Sequence, residues 1–100
     1  MIGSFRCKAL RNLWEKNDPT GVNPNARERI KRILSILESA EGIGDLDVPG
    51  FRFHALKGFN PRRYSMRVTG NWRITFTFEG GVAEAVVSGE TTGIGAVPVA

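Results

Sequence analysis

The sequence predicts an α+β fold, with two N-terminal helices packed on one face of a small, mainly antiparallel sheet of four or five strands. Apolar residues recur at helical spacing between residues 7 and 40, and they alternate with polar residues between residues 51 and 88. The chain has 100 residues, of which 41% are hydrophobic, as expected for one globular domain. We expect residues 1–88 to form that domain.

The N-terminal region predicts a short strand followed by a helix. Residues 1–7 place Ile2 and Phe5 among small residues, which is compatible with a first strand. A helix is predicted over residues 7–16, where the apolar side chains lie on one stripe, namely Leu10, Leu13 and Trp14. Pro19 and Gly21 then interrupt regular structure, so residues 17–21 form a loop.

A second helix is the clearest element in the sequence. Asn23 can cap it, Pro24 suits the first helical position, and it ends near Ala40. Its apolar stripe consists of Ala26, Ile30, Ile33, Leu34 and Leu37. Its basic flank consists of Arg27, Arg29, Lys31 and Arg32. This flank could contact phosphates or could simply be a solvated helix face.

From residue 51 the apolar period changes to two, which predicts strands. The predicted strands are residues 51–57, 64–69, 72–79 and 82–88, separated by turns at Gly70-Asn71 and Gly80-Gly81. Residues 89–100 are Thr, Gly, Ala, Val, Ile and Pro with one Glu, and we expect a loose C-terminal tail there.

The alternation predicts a sheet with two different faces. The face that meets the helices would carry Tyr64, Met66, Val68, Trp72, Ile74, Phe76 and Phe78. The opposite, solvated face would carry Arg63, Ser65, Arg67, Thr69, Arg73, Thr75 and Thr77. Arg52 and His54 join this second set if the first strand has the matching phase. A face rich in arginine and hydroxyl groups, with almost no acid, is suited to bind phosphate.

The charge of the chain also favours a nucleic acid as its partner. Lys and Arg number 14 against 10 acidic residues, and residues 1–79 alone carry a net charge of +6. Ten of the basic residues are Arg, which binds phosphate oxygens in a bidentate manner. The alternative is an ordinary solvated surface with a high pI.

Several classes of protein are disfavoured by composition. Cys7 is the single cysteine, so neither an internal disulfide nor a cysteine-rich zinc site is expected. The N-terminus lacks the pattern of a signal peptide, and no apolar run is long enough to span a membrane. We therefore predict a cytosolic protein without a membrane contact.

His54 is the single histidine and the best candidate for acid–base chemistry. Cleavage of RNA by its own 2′-hydroxyl needs a base, cations for the charge that builds on the phosphate, and a proton for the leaving oxygen. An imidazole can act as base or acid near neutral pH. The alternative is a packed or surface histidine without a catalytic role.

The sequence resembles the HigB family of toxins in the RelE superfamily. The resemblance is carried by His54-Ala55-Leu56-Lys57-Gly58 and by Asn71-Trp72-Arg73-Ile74-Thr75-Phe76, and it covers roughly residues 1–88. It implies a toxin of a type II toxin–antitoxin system that cuts messenger RNA in the ribosomal A site, without a metal ion or another cofactor. It also implies a helix-turn-helix, HigA-like antitoxin, with operator DNA bound only through the complex of both proteins.

The resemblance also implies roles for single residues. His54 would be the general base, and Lys57 and Arg73 would bind the scissile phosphate and stabilise its developing charge. Arg52, Arg63 and Arg67 would form further contacts with RNA or the ribosome. The alternatives are a loop lysine for Lys57 and an exposed strand cation for Arg73.

The C-terminal stretch departs from the family pattern. Family members usually end with an acidic residue, then Tyr and a terminal His, where this chain has Glu90, Thr91 and Thr92. Glu90 can keep the acidic role, but the threonines supply no imidazole. Three readings follow: a toxin for which His54, Lys57 and Arg73 suffice, an attenuated toxin kept for binding, or a C-terminus altered by a frameshift.

Two rival functions differ in class. A non-catalytic module could bind RNA or the ribosome through the same basic face, and it would leave RNA intact. A metal-dependent nuclease is disfavoured, because the predicted basic face has no cluster of carboxylates to bind the ion.

Overall fold

A computed structural model describes residues 1–56, 58–69 and 72–90, except for the side chain of Glu90. Within these residues the elements are helices α1 (Lys8–Lys16) and α2 (Arg27–Ser39), a short 3₁₀ turn (Ile43–Leu46), and strands β1 (His54–Leu56), β2 (Arg63–Thr69), β3 (Trp72–Glu79) and β4 (Val82–Glu90). The strands form one antiparallel sheet in the order β1-β2-β3-β4. The predicted α+β fold is confirmed.

The N-terminal segment runs beside β4, where a first strand was expected. Two isolated parallel bridges, Ile2 with Ala83 and Phe5 with Val86, connect it to this edge of the sheet. Backbone hydrogen bonds from Gly3 N to Ala83 O (2.7 Å) and from Arg6 N to Val86 O (2.9 Å) hold it there. The segment therefore covers an edge whose peptide groups would otherwise be unpaired.

The two helices occur as predicted, but α2 starts later than its sequence indicated. Asn23 Oδ1 accepts a hydrogen bond from Asn25 N at 2.9 Å, and Ala26 N donates to Asn23 O at 3.0 Å. Asn23 therefore closes a turn before the helix, and α2 begins at Arg27 with Ala26 as its N-cap residue. Helix α1 ends at Asn17, which adopts the left-handed conformation with φ 53°.

The core lies between the helices and one face of the sheet. From the helices it contains Leu10, Leu13, Ala26, Ile30, Ile33, Leu34 and Leu37. From the sheet it contains Tyr64, Met66, Val68, Ile74, Phe76, Phe78, Ala83 and Val86. Trp72 lies on the side of the helices, as predicted, where it lines a cavity with Leu10, but the prediction that it is buried in the core was wrong, because it is 41% exposed. A register shift between Arg67 and Thr69 sets Thr69 opposite Trp72 at the end of the sheet, outside this core.

Two strands differ in length from their predictions. Strand β1 begins at His54 and not at residue 51, because the positive φ angles of Gly50 (94°) and Arg52 (49°) interrupt the extended conformation before it. Strand β4 continues to Glu90, two residues beyond its predicted end. The predicted Gly70-Asn71 turn and most of the predicted tail, residues 91–100, lie outside the described residues. Among the described helices, none is long and apolar enough to cross a membrane.

Candidate active site on the second face of the sheet

The sheet face that carries no helices, called the second face below, contains the predicted basic residues. Cross-strand partners share a face, so the register fixes its rows. One row across the sheet is His54–Ser65–Thr75–Val87. The row nearer the connection between β2 and β3 is Arg67–Arg73–Gly89. The row on the other side is Leu56–Arg63–Thr77–Glu84. The predicted phase of the strands is confirmed except at Thr69, which the register shift pairs with Trp72 on the side of the helices, and His54 joins the face.

The centre of the second face is buried, although the sequence predicted a solvated surface. Ser65 and Thr75 have no exposed area, and Arg63 is only 5% exposed. Both hydroxyl side chains are short, and both have arginines two positions away on the same strand. Long arginine stems can cover such short neighbours while keeping their charged ends near water.

Arg63 is part of the structural frame of this face. Its Nη2 atom donates to Thr75 Oγ1 at 3.1 Å and to the carbonyl oxygen of Ala85 at 2.9 Å. Ala85 has φ 51° and lies where the β3–β4 register shifts. Burial, and secondarily the nearby charge of Arg6, lower the pKa of Arg63 below its usual range. The guanidinium therefore braces the irregular part of β4 and is largely withdrawn from ligands.

His54 is exposed, and its ring orientation is fixed by a backbone carbonyl. The Nδ1 atom lies 3.0 Å from the carbonyl oxygen of Arg52. A carbonyl oxygen can only accept, so Nδ1 must carry the proton, and the lone pair of the neutral ring lies on Nε2. Ser65 Oγ is 3.4 Å from both ring nitrogens. The geometry therefore presents Nε2 as the basic atom.

The segment that contains Arg52 is attached to helix α2 by Arg29. Its guanidinium donates to the carbonyl oxygens of Gly50 and, at 3.2 Å, of Arg67, and its Cζ lies 4.2 Å from the ring centroid of Phe51. Arg67 N also donates to Phe51 O at 2.6 Å. Arg29, which the sequence assigned to a basic flank, thus connects α2 to the backbone that orients His54.

Arg67 and Arg73 are direct cross-strand partners, and both are half-buried. Like charges at opposite positions repel, so an anion bound between them would be stabilised by both. Arg73 lies two strands and two residues from His54, which corresponds to roughly 12 Å between Cα atoms. Long side chains from both positions can approach a phosphate between them.

Two predicted catalytic residues have side chains outside the described part of the structure. Lys57 lies outside the described residues, between Leu56 and Gly58. Glu90 is the last residue of β4 and pairs through its backbone with Trp72, but its side chain is outside the described part. Arg52 is exposed and precedes β1, so it lies beside the face instead of on it. In the described part of the chain, no group of three or more His, Cys, Asp or Glu residues is arranged to bind a metal ion.

Comparison with known proteins shows the family of this chain. Residues 3–88 match the family described as RelE-like toxin of type II toxin-antitoxin system HigB. This chain belongs to that family. The HigB-like toxin is also 40% identical over 83 residues to the protein named Endoribonuclease HigB of Proteus vulgaris, and the match spans 83% of this chain and 90% of that relative.

Sequence reasoning missed two side chains that lie close to the second face of this HigB-like toxin. Arg6 is near enough to Arg63 to influence its pKa, and Phe59 is 37% exposed in the β1–β2 loop. Phe5 packs against the core, and neighbouring side chains of an extended segment point to opposite sides. This alternation could have placed Arg6 on the second face, once the N-terminal segment was known to lie along β4. Phe59 gave no sequence signal, because isolated apolar residues in loops are common.

Proposed function

We propose that this HigB-like toxin is an endoribonuclease that cuts messenger RNA in the ribosomal A site by attack of the 2′-hydroxyl on the adjacent phosphate. The observation that carries the proposal is the fixed imidazole of His54 on a sheet face that also bears the Arg67–Arg73 pair. The family membership and the name of the Proteus vulgaris relative support the same reaction.

In the proposed reaction each group of the site has a defined role. His54 Nε2 accepts the proton of the 2′-hydroxyl, and the oxygen then attacks phosphorus to form a 2′,3′-cyclic phosphate. Arg73 and Lys57 stabilise the negative charge that builds on the phosphate oxygens, and Arg67 and Arg52 bind neighbouring parts of the RNA or ribosome. Glu90 supplies the acidic group of the site. The leaving 5′-oxygen takes a proton from a protonated group or from water.

The partners of this toxin follow from the same proposal. A helix-turn-helix, HigA-like antitoxin binds the toxin in the cytoplasm and blocks it, and the complex contacts operator DNA through the antitoxin. When free antitoxin is lost, the toxin enters the ribosome and translation stops. The positive charge of residues 1–79 favours approach to ribosomal RNA.

The experiment that tests the function is primer extension on cellular messenger RNA after the toxin is induced without its antitoxin. We expect new 5′ ends within translated regions, together with slowed growth that co-expressed antitoxin restores. The His54→Ala variant is the control and should give no new ends. Unchanged messenger RNA and normal growth, despite soluble wild-type protein, would contradict the proposal.

A second candidate function is a non-catalytic module that occupies the ribosome or an RNA. The specific observation in its favour is the sequence Glu90-Thr91-Thr92, where family members usually end with an acidic residue, Tyr and His. This candidate predicts intact RNA with salt-sensitive binding, whereas cleavage predicts fragments with 2′,3′-cyclic phosphate ends. A Thr91→Tyr, Thr92→His double variant should cut faster than the wild type if the natural C-terminus attenuates the reaction.

A further inference from the structure

A groove on the second face is separate from the row of Arg67 and Arg73. It encloses about 680 Å³ between the β1–β2 loop, the N-terminal segment and the β3–β4 hairpin. We call it the Phe59 groove. Its basic and exposed aromatic lining residues are Arg6, Phe59, Arg62 and Arg63. Along β2, Arg63 is four residues from Arg67, which corresponds to roughly 13 Å.

Three arginines line the Phe59 groove. Arg6 and Arg62 are exposed, and Arg63 forms the buried floor. The positive charge of Arg6 acts on Arg63, so these two like charges are close enough to repel each other. An anion at the mouth of the groove would relieve that repulsion and would gain charge-assisted hydrogen bonds.

An aromatic ring completes the groove. Phe59 is 37% exposed, which is high for a phenylalanine that has the core of the protein nearby. Exposed aromatic rings beside a basic groove are the usual means of binding single-stranded nucleic acid, because every base can stack on them. The hydroxyl group of Ser4 also lines the groove; its oxygen accepts from Ala85 N at 2.9 Å, so its proton can be donated to a phosphate or sugar oxygen.

Two carboxylates of this groove limit where a phosphate can bind. Glu79 and Glu84 belong to the β3–β4 hairpin, and the side chain of Glu84 lies over Gly3. In the described part of the chain, neither carboxylate forms an ion pair with the three arginines. A phosphate is therefore expected on the side of Arg6 and Arg62, away from the hairpin.

We propose that the Phe59 groove binds one nucleotide of single-stranded RNA next to the cleavage site, with the base stacked on Phe59 and the phosphate between Arg6 and Arg62. The inference deepens the proposed function and rests on it. Because the groove is about 13 Å from the Arg67–Arg73 row, the nucleotide it binds flanks the scissile phosphate and does not contain it. The subsite lengthens the stretch of RNA that the toxin contacts.

The test is a binding titration of full-length toxin with a fluorescent RNA of about 12 nucleotides, carrying 2′-O-methyl groups so that it cannot be cut. We expect Phe59→Ala to weaken binding about tenfold, within the range known for loss of one stacked base. Arg6→Ala should weaken it and lower the slope of log Kd against log salt by about one. The matched control is Arg32→Ala, which removes an equal charge from the exposed surface of α2.

Each outcome separates the subsite from the function as a whole. If wild-type toxin neither binds this RNA nor cuts messenger RNA, the proposed function and the subsite are both overturned. If the wild type binds and the Phe59 and Arg6 variants bind equally well while folded, only the subsite is overturned. If these variants keep RNA binding but lose the antitoxin, the groove is a protein-binding surface and the RNA subsite is again overturned.

Discussion

His54 has the geometry of a base because its Nδ1 atom meets the carbonyl oxygen of Arg52. Arg52 has φ 49°, a left-handed angle that costs an ordinary residue about 1–2 kcal/mol. Its carbonyl oxygen lies 3.0 Å from Nδ1 of the imidazole. This acceptor selects one tautomer of the ring, with Nε2 left to accept a proton.

We predict that neutral His54 carries its proton on Nδ1. Long-range ¹⁵N–¹H correlation spectra of labelled protein would reveal the tautomer, and assignment is simple because the chain has one histidine. Arg52→Gly should keep the tautomer, since glycine adopts positive φ without strain. Arg52→Val should weaken this preference and slow cleavage, because a β-branched residue disfavours that angle and would displace the chain between Phe51, which is held by Arg67 N, and β1. A wild-type ring protonated on Nε2 would contradict the assignment.

Arg73 and Arg67 are expected to differ in the step that they affect. Arg73→Ala should lower the single-turnover cleavage rate by about 10²–10³-fold with a much smaller loss of RNA affinity, because the charge it stabilises develops in the transition state. Arg67→Ala should mainly weaken binding and reduce its salt dependence. Cleavage at the wild-type rate by folded Arg73→Ala protein would show that the assigned site is wrong.

At the scale of elements, the second helix and the sheet are joined at the site through one side chain. Arg29 projects from α2 to the backbone of Gly50 and Arg67 and stacks on Phe51, which is 4% exposed. These contacts fix the segment before β1, whose positive φ angles make it irregular. Helix α2 therefore determines the position of His54, which belongs to strand β1.

We predict that Arg29→Ala lowers the free energy of unfolding by about 1–3 kcal/mol, since it removes two hydrogen bonds and a cation–π contact. It should also slow cleavage more than it weakens RNA binding, because His54 loses its fixed position. Arg32→Ala is the control on the same helix and should change neither quantity. Equal behaviour of the two variants in urea unfolding and cleavage would refute the role of Arg29.

Arg63 holds strand β4 in place, as Arg29 holds the segment before β1. We predict that Arg63→Ala lowers the free energy of unfolding by about 2–4 kcal/mol, because buried Thr75 Oγ1 and the Ala85 carbonyl lose their donor. Arg62→Ala, at the adjacent exposed position, should change stability by less than about 0.5 kcal/mol. Chemical denaturation of both variants measures the difference. A small loss for Arg63→Ala would mean that its hydrogen bonds contribute little.

At the scale of the whole molecule, the asymmetry of charge governs association. Residues 1–79 hold the net charge of +6, whereas residues 80–100 contain only two glutamates and no basic residue. We predict that the association rate with the antitoxin falls as salt rises, because an acidic segment of the antitoxin meets this basic surface. Stopped-flow mixing at low and high salt measures the rate. A rate that does not depend on salt would exclude electrostatic steering.

Much of the fold was predictable from local patterns. The stripe from Ile30 to Leu37 and the alternation from Trp72 to Phe78 are periodic over enough residues to identify α2 and β3. The predictions failed where one residue or one hydrogen bond decides a boundary. Asn23 closes a turn and does not cap α2, and a register shift leaves Trp72 exposed. Such details depend on contacts that a local pattern does not contain.

The sequence by itself determined the layers of the fold, the phase of the strands, and a resemblance that named His54, Lys57 and Arg73. These follow from periodicity and short motifs, which are local properties of the chain. Only the tertiary structure decided that Arg29 and Arg63 brace the site, that the Arg52 carbonyl orients His54, and that Arg6 and Phe59 share a groove. An arginine has the same chemistry in a buried frame as on a binding surface. Its role is set by whether its neighbours, many residues away in the sequence, leave it facing protein or water.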